Sequence, residues 1–404
     1  MKNVLATAYD VNPYKGSESG TGWNFAHQIS LYNNVTLVTR KNNKQEIERY
    51  INENKINRDN LKVEYFDLNK FILKFKKGEF LSFIYFNLWQ FFLAMKYFKR
   101  RADFDFVHSI NFHSDHVPTF LWILKKPLIW GPLSHNEAVP REILQNNIAF
   151  LKDRLGFLIK RFRWNFDPFL RLAVAKATII LGSRSQVKTR LKINNKKFRF
   201  LSTISSDLNE KKTYQKKDIE ILFVGRLVKI KAVHIAILAF NDFLQKNKNI
   251  KARFTIIGGG PETDNIQKLI NKLNLKSNVE LVSWIDKSKL SNYYSRSSLF
   301  IFPSYEGGGA VVAEALSYSI PVIINSEGGA SEIVNNSCSV KINHSKNIKK
   351  MISDYSTAIS QISFSENYEN YALNSRLIFE KEIQWSAKGI KMAKIYNSIN
   401  NKIC

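Results

Sequence analysis

The sequence of 404 residues has little cysteine and an unusually small share of acidic side chains. Only two cysteines occur, Cys338 and Cys404, which excludes a disulfide framework and a cysteine-based zinc cluster and fits a reducing compartment. The chain is 44% hydrophobic with 17 Gly and 9 Pro, which excludes collagen-like, low-complexity and wholly disordered proteins. Its length predicts two domains of ordinary size.

A long uninterrupted apolar segment is also missing. The longest stretch without a charged residue, 80–95, is shorter than the roughly 20 apolar residues that a membrane-spanning helix needs. The first residues, MKNVLATAYD, form a short apolar run without the cleavage site of a signal peptide. We therefore expect a cytoplasmic protein that does not span a membrane.

Positive charge, by contrast, is abundant. Lys and Arg number 61 against 34 Asp and Glu, a formal net charge of +27. Such an excess favours a phosphate-rich ligand, an anionic membrane surface or a polyanion as partner. No nucleic-acid-binding motif occurs, and the aromatic residues lie mostly in apolar runs, so we do not expect nucleic acid as the partner.

Short β-branched runs alternate with amphipathic stretches along the whole chain. The pattern breaks once, at the polar, lysine-rich segment 205–218, which predicts a linker between two domains. Parallel strands joined by helices form doubly wound sheets, which bind ligands beyond the carboxyl ends of their strands. We therefore predict an α/β protein with two Rossmann-like domains that face a cleft. The predicted strands are 3–8, 34–40, 62–68, 104–110, 127–133, 178–183 and 198–203 in the first domain, and 220–227, 253–260, 279–284, 299–304 and 321–326 in the second.

The segment 302–334 has the strongest functional pattern. A strand leads to Glu306 and the glycines 307–309, a helix follows, and Glu314 lies eight residues after Glu306. Glycines let a ligand approach the backbone, and free N–H groups at a helix start bind anions. A carboxylate beside bound phosphate is best explained if it binds hydroxyl groups of a sugar or ribose. Each Glu alone would be expected to be merely solvated, but together with a second GG-x-x-E at 328–332 they indicate a site.

A second pattern is the strand-to-helix turn VGRLVKIKAV at 224–233. Arg226 and Lys231 lie five residues apart there and are suited to bind a diphosphate and to neutralise a leaving group without a metal. In isolation the pair would be two solvated cations. The glycine turn IIGGGPE at 256–262 is a weaker signal, because it lacks the spacing of a dinucleotide fingerprint.

In combination these motifs resemble glycosyltransferase family 4, retaining enzymes of the GT-B fold, and most closely its bacterial members that build surface polysaccharides. The resemblance rests on Glu306-x7-Glu314, on Arg226 and Lys231 in a GR-x4-K turn, and on the GG-x-x-E at 328–332. It also covers the loop 12–26, the strand FDFVHS, the IWGP turn at 129–132 and the helical segment 385–396. It implies a first domain at 1–205, a nucleotide-sugar domain at 206–382 and a C-terminal helix at 383–404 that crosses back to the first domain.

The resemblance implies a role for each matched residue. Glu306 would hold hydroxyls of the donor sugar and Glu314 the ribose, whereas Arg226 and Lys231 would bind the diphosphate. The N–H groups of Gly308, Gly309 and Ala310 would assist, Gly20 would approach the diphosphate from the first domain, and the backbone at Trp284 and Ile285 would receive the base. The co-substrate would be a UDP or GDP sugar, with no further cofactor.

Transfer of this kind needs electrostatic stabilisation of the departing diphosphate more than a protein nucleophile. A DxD pattern at Asp103 and Asp105 opens a predicted buried strand, and the two cations make a metal redundant, so we expect no metal site there. The sequence departs from the family pattern at Gly308, Ser319 and Gly259, where Phe, Gly and Asp are usual.

Four histidines lie near strand ends of the first domain: His108, His113, His116 and His135. His113 and His135 are the best placed to orient the acceptor hydroxyl or the donor, and Asp115 is a further candidate. A histidine in a loop is more often structural or merely exposed, so both interpretations stay open.

Two apolar stretches rich in flanking cations bear on the partner. In 150–164, Leu151, Leu155, Leu158 and Phe162 share one helical face with cations off it, which favours an anionic membrane surface. For 80–95 we predict packing in the core. The predicted acceptor is accordingly a lipid-linked glycan. The alternatives are a phosphorylase or epimerase of similar fold, and a non-catalytic protein that binds nucleotide or carbohydrate.

Overall fold

The computed structural model describes residues 1–69, 78–112, 114–209 and 219–400. The chain divides into two compact units. The first comprises the described residues of Met1–His135, Leu158–Thr203 and Trp385–Cys404, and the second those of Asn136–Phe157 and Ile204–Gln384. The second unit thus takes 136–157, which the sequence placed in the first domain. The reason is packing, because Val139, Ile143 and Leu144 are buried in the core of the second unit.

Each unit is built on a fully parallel sheet. In the first, seven strands have the order β3-β2-β1-β4-β5-β6-β7. They are β1 (Asn3–Ala8), β2 (Asn34–Thr39), β3 (Leu61–Tyr65), β4 (Phe106–Asn111), β5 (Leu128–Leu133), β6 (Ile179–Gly182) and β7 (Phe198–Phe200).

The second sheet has six strands in the order β10-β9-β8-β11-β12-β13. They are β8 (Ile219–Val224), β9 (Ala252–Ile257), β10 (Val279–Val282), β11 (Leu299–Phe302), β12 (Val322–Asn325) and β13 (Ser339–Ile342). The order reverses at β8 and β11, so the loops after these two strands are neighbours at the carboxyl edge of the sheet, where ligands bind in open α/β folds.

The described helices are fourteen α-helices, with a few short 3-10 turns and one π-helical turn, Phe379–Ile383. They are α1 (Ser17–Ser30), α2 (Lys44–Glu53), α3 (Gly78–Phe98), α4 (Arg141–Leu144), α5 (Asn147–Phe166), α6 (Pro168–Lys176), α7 (Gln186–Arg190), α8 (Val233–Lys246), α9 (Thr263–Lys272), α10 (Lys287–Arg296), α11 (Ala310–Ser317), α12 (Ile348–Ser363), α13 (Tyr368–Ile378) and α14 (Trp385–Asn400). Among the described residues, no helix is both long and apolar enough to cross a bilayer.

The two Rossmann-like units confirm the fold class. All twelve predicted strands have a counterpart, because buried parallel strands read as short apolar runs. β13 was missed, since Ser339–Ile342 is a short, half-buried edge strand without such a run. Of the predicted linker 205–218, only 205–209 lie in the described part of the chain, and they have no regular secondary structure.

The C-terminal helix α14 belongs to the first unit. The Trp385 ring packs edge-on against Phe25 of α1, and Tyr396 packs in the same way on Phe106 of β4. The Tyr396 hydroxyl also lies 2.7 Å from Nδ1 of the buried His108, whose Nε2 is 2.7 Å from the carbonyl of Gly131. Nε2 must donate to that carbonyl, so Nδ1 accepts from Tyr396. His108 therefore ties three elements together and is structural, not a site residue.

The prediction that 80–95 packs inside is only half right. On one face of α3, Tyr85, Trp89 and Leu93 are buried, and the Trp89 indole donates to the carbonyl of Phe66 at 2.8 Å. On the other face large apolar side chains are exposed. On α5, the predicted apolar face is exposed throughout, at Leu151, Leu155, Leu158 and Phe162.

Candidate functional site

Lys231 and Glu306 form an ion pair at the carboxyl edge of the second sheet. Lys231 follows β8 and lies in the 3-10 turn Lys229–Lys231, whereas Glu306 follows the adjacent strand β11. The Lys231 ammonium also lies 4.7 Å from the centre of the Phe302 ring. Lys231 is buried and Glu306 is half-buried, so the carboxylate balances a cation that water solvates poorly. The structure thus brings together two residues 75 positions apart that the sequence analysis had singled out separately.

The loop that carries Arg226 is supported by the glycine turn after β9. The N–H of Leu227 donates to the carbonyl of Gly259 at 3.0 Å, and that of Glu262 to the carbonyl of Leu227 at 3.0 Å. A Cβ at Gly258 would lie 2.0 Å from the Gly225 carbonyl oxygen, so a side chain cannot be accommodated. The motif 256–262 therefore serves close backbone packing. The Arg226 side chain is exposed, and among the described residues it makes no hydrogen bond or ion pair.

The Glu306 loop is supported by the GG-x-x-E segment. The N–H of Gly329 donates to the Glu306 carbonyl at 2.8 Å, and a Cβ at Gly329 would lie 1.9 Å from the Gly307 carbonyl oxygen. The Gly307 N–H donates to Oδ1 of Asn136 at 2.7 Å. Asn136, one residue after His135, was not identified from the sequence, because nothing in its local pattern links it to a loop 171 positions away.

Helix α11 begins at Ala310, directly after Gly309, whose φ of +149° a residue with a side chain rarely adopts. The N–H groups at the start of a helix have no intrahelical partner and carry partial positive charge. The N–H groups of Gly308, Gly309 and Ala310 lie at this start, two to four residues after Glu306. The start of α11 therefore has the geometry of an anion site, and its contact with a diphosphate stays a prediction.

Glu314 lies on α11 and is held by a tyrosine that the sequence analysis missed. The Tyr294 hydroxyl, from α10, donates to Oε2 of Glu314 at 2.8 Å. Tyr294 is buried and its ring stacks on Tyr318 at 5.3 Å between centroids. Burial raises the pKa of Tyr294 well above its ordinary value, and the Glu314 charge raises it further. The phenol therefore keeps its proton and fixes one oxygen of the carboxylate.

The loop after β10 has the two residues assigned to the base. Trp284 is 74% exposed, and Ile285 is partly buried against the core of the second unit. The Gly258 N–H donates to the carbonyl of Val282, at the end of β10, at 3.0 Å. The loop thus starts at the same sheet edge as Arg226 and Lys231.

Gly20 lies in the first unit, in the first turn of α1. A Cβ there would lie 2.1 Å from the Lys15 carbonyl oxygen, so the loop 12–16 packs directly on the helix backbone. Close packing is therefore sufficient to explain why this position is a glycine. The approach of Gly20 to a diphosphate stays a prediction.

Asp115 and His135 lie in a buried charged cluster of the first unit. Oδ2 of Asp115 is 2.8 Å from His135 Nδ1 and 3.8 Å from Nη1 of Arg190, and Oδ1 accepts from the Trp164 indole at 3.2 Å. Arg190 Nη1 is also 2.6 Å from His135 Nδ1. The side chain of His135 is 1% exposed, so in this structure it stabilises the interior, and its contact with a substrate stays a prediction. His113, the other candidate, lies outside the described residues.

The cluster keeps Asp115 ionised. Burial by itself raises the pKa of Asp115, but hydrogen bonds from His116 and His135 and the charges of His135 and Arg190 lower it to about 2. The carboxylate is therefore charged at every pH at which the protein is expected to be used.

The DxD pattern lies at the amino ends of the strands of the first sheet, opposite the carboxyl edge at which a ligand would be expected. Asp103 is in the 3-10 turn before β4, where it pairs with Arg100 at 3.3 Å, and Oδ2 of Asp105 accepts from the Asn3 N–H at 2.8 Å. Both residues precede β4, at the amino ends of the strands. Their position agrees with structural roles, not with a site at the carboxyl edge.

Comparison with known proteins bears on these assignments. Residues 205–373, less than half of the chain, match the family model described as glycosyl transferases group 1. The chain is 33% identical over 115 residues to the capsular polysaccharide biosynthesis glycosyltransferase CapM of Staphylococcus aureus, covering 28% of this chain and 30% of CapM. A match of 31% over 115 residues to the glycosyltransferase MJ1607 of Methanocaldococcus jannaschii covers 28% and 29%. The matches thus span less than a third of these relatives.

The fold is similar over nearly the whole chain to a solved structure, Anabaena Alr3699/HepE in complex with UDP. The TM-score is 0.63 with 14% sequence identity, covering 98% of this chain and 100% of that one. The resemblance to GT-B glycosyltransferases of the bacterial surface-polysaccharide type is therefore confirmed.

Proposed function

We propose that the protein is a retaining glycosyltransferase that moves a sugar from a nucleoside diphosphate to a glycan hydroxyl. The observation that carries the proposal is the meeting of Lys231 and Glu306 at the edge where β8 and β11 end, beside the start of α11. Cations, helix N–H groups and a carboxylate at one edge match a ligand that has both a diphosphate and hydroxyls.

The chemistry follows from the charges. Lys231 and the exposed Arg226 would bind the diphosphate, and the N–H groups of Gly308, Gly309 and Ala310 would add partial positive charge. As the sugar–phosphate bond breaks, negative charge grows on the diphosphate, so these groups stabilise the transition state more than the ground state. No metal ion enters this scheme. Glu306, next to Lys231, would accept hydrogen bonds from sugar hydroxyls, and Glu314 from the ribose.

The donor is proposed to be a UDP or GDP sugar, with the base at the loop of Trp284 and Ile285. UDP is supported by the UDP-bound neighbour of similar fold. The acceptor is proposed to be a lipid-linked glycan of bacterial surface-polysaccharide synthesis, at the inner face of the cytoplasmic membrane. The capsular relative and the charge of +27 support this assignment.

The proposal is tested by melting curves with UDP, GDP, ADP, CMP and their sugar conjugates, in EDTA. A ligand at about 100 times its Kd stabilises the folded state by roughly 2.7 kcal/mol, which is a visible shift. We expect one diphosphate to shift the melting temperature of the wild type, and the shift to disappear in Arg226→Ala and Lys231→Ala. Lys229→Ala is the matched control, because Lys229 lies in the same turn but pairs with Glu262 at 2.8 Å.

Turnover separates an enzyme from a binding protein. With the stabilising nucleotide sugar, release of the nucleoside diphosphate should be measurable in the wild type and lost in Glu306→Ala, while nucleotide binding persists. No shift with any nucleotide overturns the donor site. A shift without turnover, with membrane extract supplied as the source of acceptor, favours the non-catalytic alternative.

A further inference from the structure

The first unit exposes two sets of large apolar side chains on its helices, and contiguous apolar patches of this kind mark interaction surfaces. Apolar side chains recur at helical spacing along the outer face of α3. Each is between 37% and 73% exposed: Phe80, Ile84, Leu88, Phe91, Phe92 and Met95. The stretch 80–95 has no charged side chain at all. A surface helix normally has a polar outer face. The outer face of α3 is apolar instead.

A second set of apolar residues lies in the same unit, at the end of α5 and the start of α6. Leu158, Ile159, Phe162, Phe166 and Phe169 are each between 54% and 65% exposed. On α5 they follow helical spacing and therefore form one stripe. The opposite side of the helix carries Trp164, which is buried against the Asp115 cluster. The stripe therefore faces away from the core of its unit.

Ring contacts connect the two sets. Phe91 of α3 lies edge-on to Phe120 at 6.1 Å, and Phe120 lies 5.7 Å from Phe169 of α6. The Arg163 guanidinium of α5 lies 4.6 Å from the centre of the Phe83 ring on α3. The two apolar sets are thus parts of one surface, which we call the α3/α5 surface.

Cations border this surface. Residues 158–176 contain five basic side chains and one acidic, and 96–101, at the end of α3, contain four basic and none acidic. Arg161, exposed, lies one helical turn from Leu158 and flanks the stripe, and Arg171 of α6 is exposed as well, whereas Arg163 is paired with Asp167 at 2.8 Å. Long cationic side chains beside an apolar stripe are the arrangement of helices that lie in an anionic lipid interface.

We propose that the α3/α5 surface inserts into the headgroup region of an anionic lipid bilayer and attaches the protein there through the first unit. A second copy of the chain is the poorer occupant, because two such surfaces would bring cations of equal sign together on a protein of net charge +27. Insertion buries the apolar side chains while the flanking cations meet lipid phosphates. A lipid-linked acceptor would reach the enzyme in the same plane.

The test is sedimentation of the full chain with vesicles of phosphatidylcholine, with and without phosphatidylglycerol. We expect strong binding only with phosphatidylglycerol, and weakening as salt rises. The variant Leu88→Ser, Phe92→Ser, Phe162→Ser, Phe166→Ser should lose binding by about tenfold for each Phe removed. Arg161→Glu with Arg171→Glu should lose about fivefold per charge, on anionic vesicles only.

A matched control is Leu373→Ser with Ile390→Ser, whose side chains are 44% and 47% exposed on α13 and α14. It should bind vesicles like the wild type. All variants change exposed residues, so unchanged melting temperatures would show that they are folded. Vesicle binding that survives the four serines, or that is equal without phosphatidylglycerol, overturns the proposal. So does a wild-type dimer in lipid-free buffer that those serines convert to a monomer.

The inference is independent of the donor chemistry. Nucleotide-induced melting shifts should be the same in the wild type and in the serine variant. Vesicle binding without any nucleotide-induced change in melting temperature would support the membrane-binding proposal and overturn the proposed function. A nucleotide-induced change in melting temperature without vesicle binding would support the proposed donor site and overturn the membrane-binding proposal.

Discussion

Tyr294 donates its hydroxyl to Oε2 of Glu314 at 2.8 Å, from a ring that is buried and stacked on Tyr318. The contact joins two helices that follow different strands, α10 after β10 and α11 after β11. It restrains the carboxylate proposed to bind the ribose. Tyr294 is thus a positioning residue, acting through Glu314.

Tyr294→Phe should weaken binding of the donor nucleotide by about fivefold to tenfold, because one hydrogen bond to a charged group is lost while the packing is kept. The effect should fall on KM for the nucleotide sugar, with kcat much less changed. Tyr293→Phe is the control, since its ring contacts Arg296 and not Glu314. An unchanged KM in Tyr294→Phe would contradict the positioning role.

Gly329 and Gly308 should respond oppositely to alanine. A Cβ at Gly329 would lie 1.9 Å from a backbone oxygen of the Glu306 loop, whereas nothing lies within 4 Å of one at Gly308. Gly329→Ala should therefore displace the Glu306 loop and abolish turnover. Gly308→Ala should retain nucleotide binding and melting temperature. Equal behaviour of the two variants, by melting curves and nucleotide titration, would show that the close approach does not matter.

Ser319 has a left-handed backbone, with φ of +63°, and a buried hydroxyl without a hydrogen-bond partner among the described residues. This is the position at which the family pattern usually has Gly. Ser319→Gly should raise the free energy of unfolding by about 1 kcal/mol, since strain is relieved and a buried polar group removed. Ser297→Gly is the contrast, because Ser297 has φ of −80° and its hydroxyl donates to the Tyr293 carbonyl at 2.7 Å. Urea unfolding should show stabilisation in the first and destabilisation in the second.

Asp115 should make stability depend on pH in the acid range. Its folded pKa of about 2 lies below the ordinary value of 3.8. A carboxyl of this kind contributes stability that is fully present above about pH 4 and is lost as the pH falls towards 2. The difference in unfolding free energy between the wild type and Asp115→Asn should therefore shrink by about 2 kcal/mol over that window. A difference that stays constant from pH 7 to pH 2.5 would show that the charge of Asp115 does not matter.

The sequence predicted the fold well because each buried parallel strand is a short apolar run that local composition reveals. It also predicted Glu306 and Glu314 together, from their spacing and the glycines beside them, and Lys231 from its spacing to Arg226. Tyr294 and Asn136 had no such signal. Their contacts with Glu314 and Gly307 exist only because distant segments meet at one sheet edge.

Surface and interior were harder to separate. Alternation shows that a helix has apolar residues, but not which neighbour covers them. Half of 80–95 was therefore wrongly placed in the core, and His135, predicted in a loop facing a site, is buried beside Asp115. His108 is hydrogen-bonded to Tyr396, 288 positions away, so it too has a structural role.

The amino-acid sequence by itself determined the strands, the glycine turns and the chemical types at the proposed donor site, since these depend on backbone conformation and on side chains a few residues apart. Only the tertiary structure decided that Lys231 pairs with Glu306, that Tyr294 restrains Glu314, and that α3 and α5 expose their apolar faces. Pairing and exposure depend on which segments pack together. That is a property of the whole chain, and no local pattern encodes it.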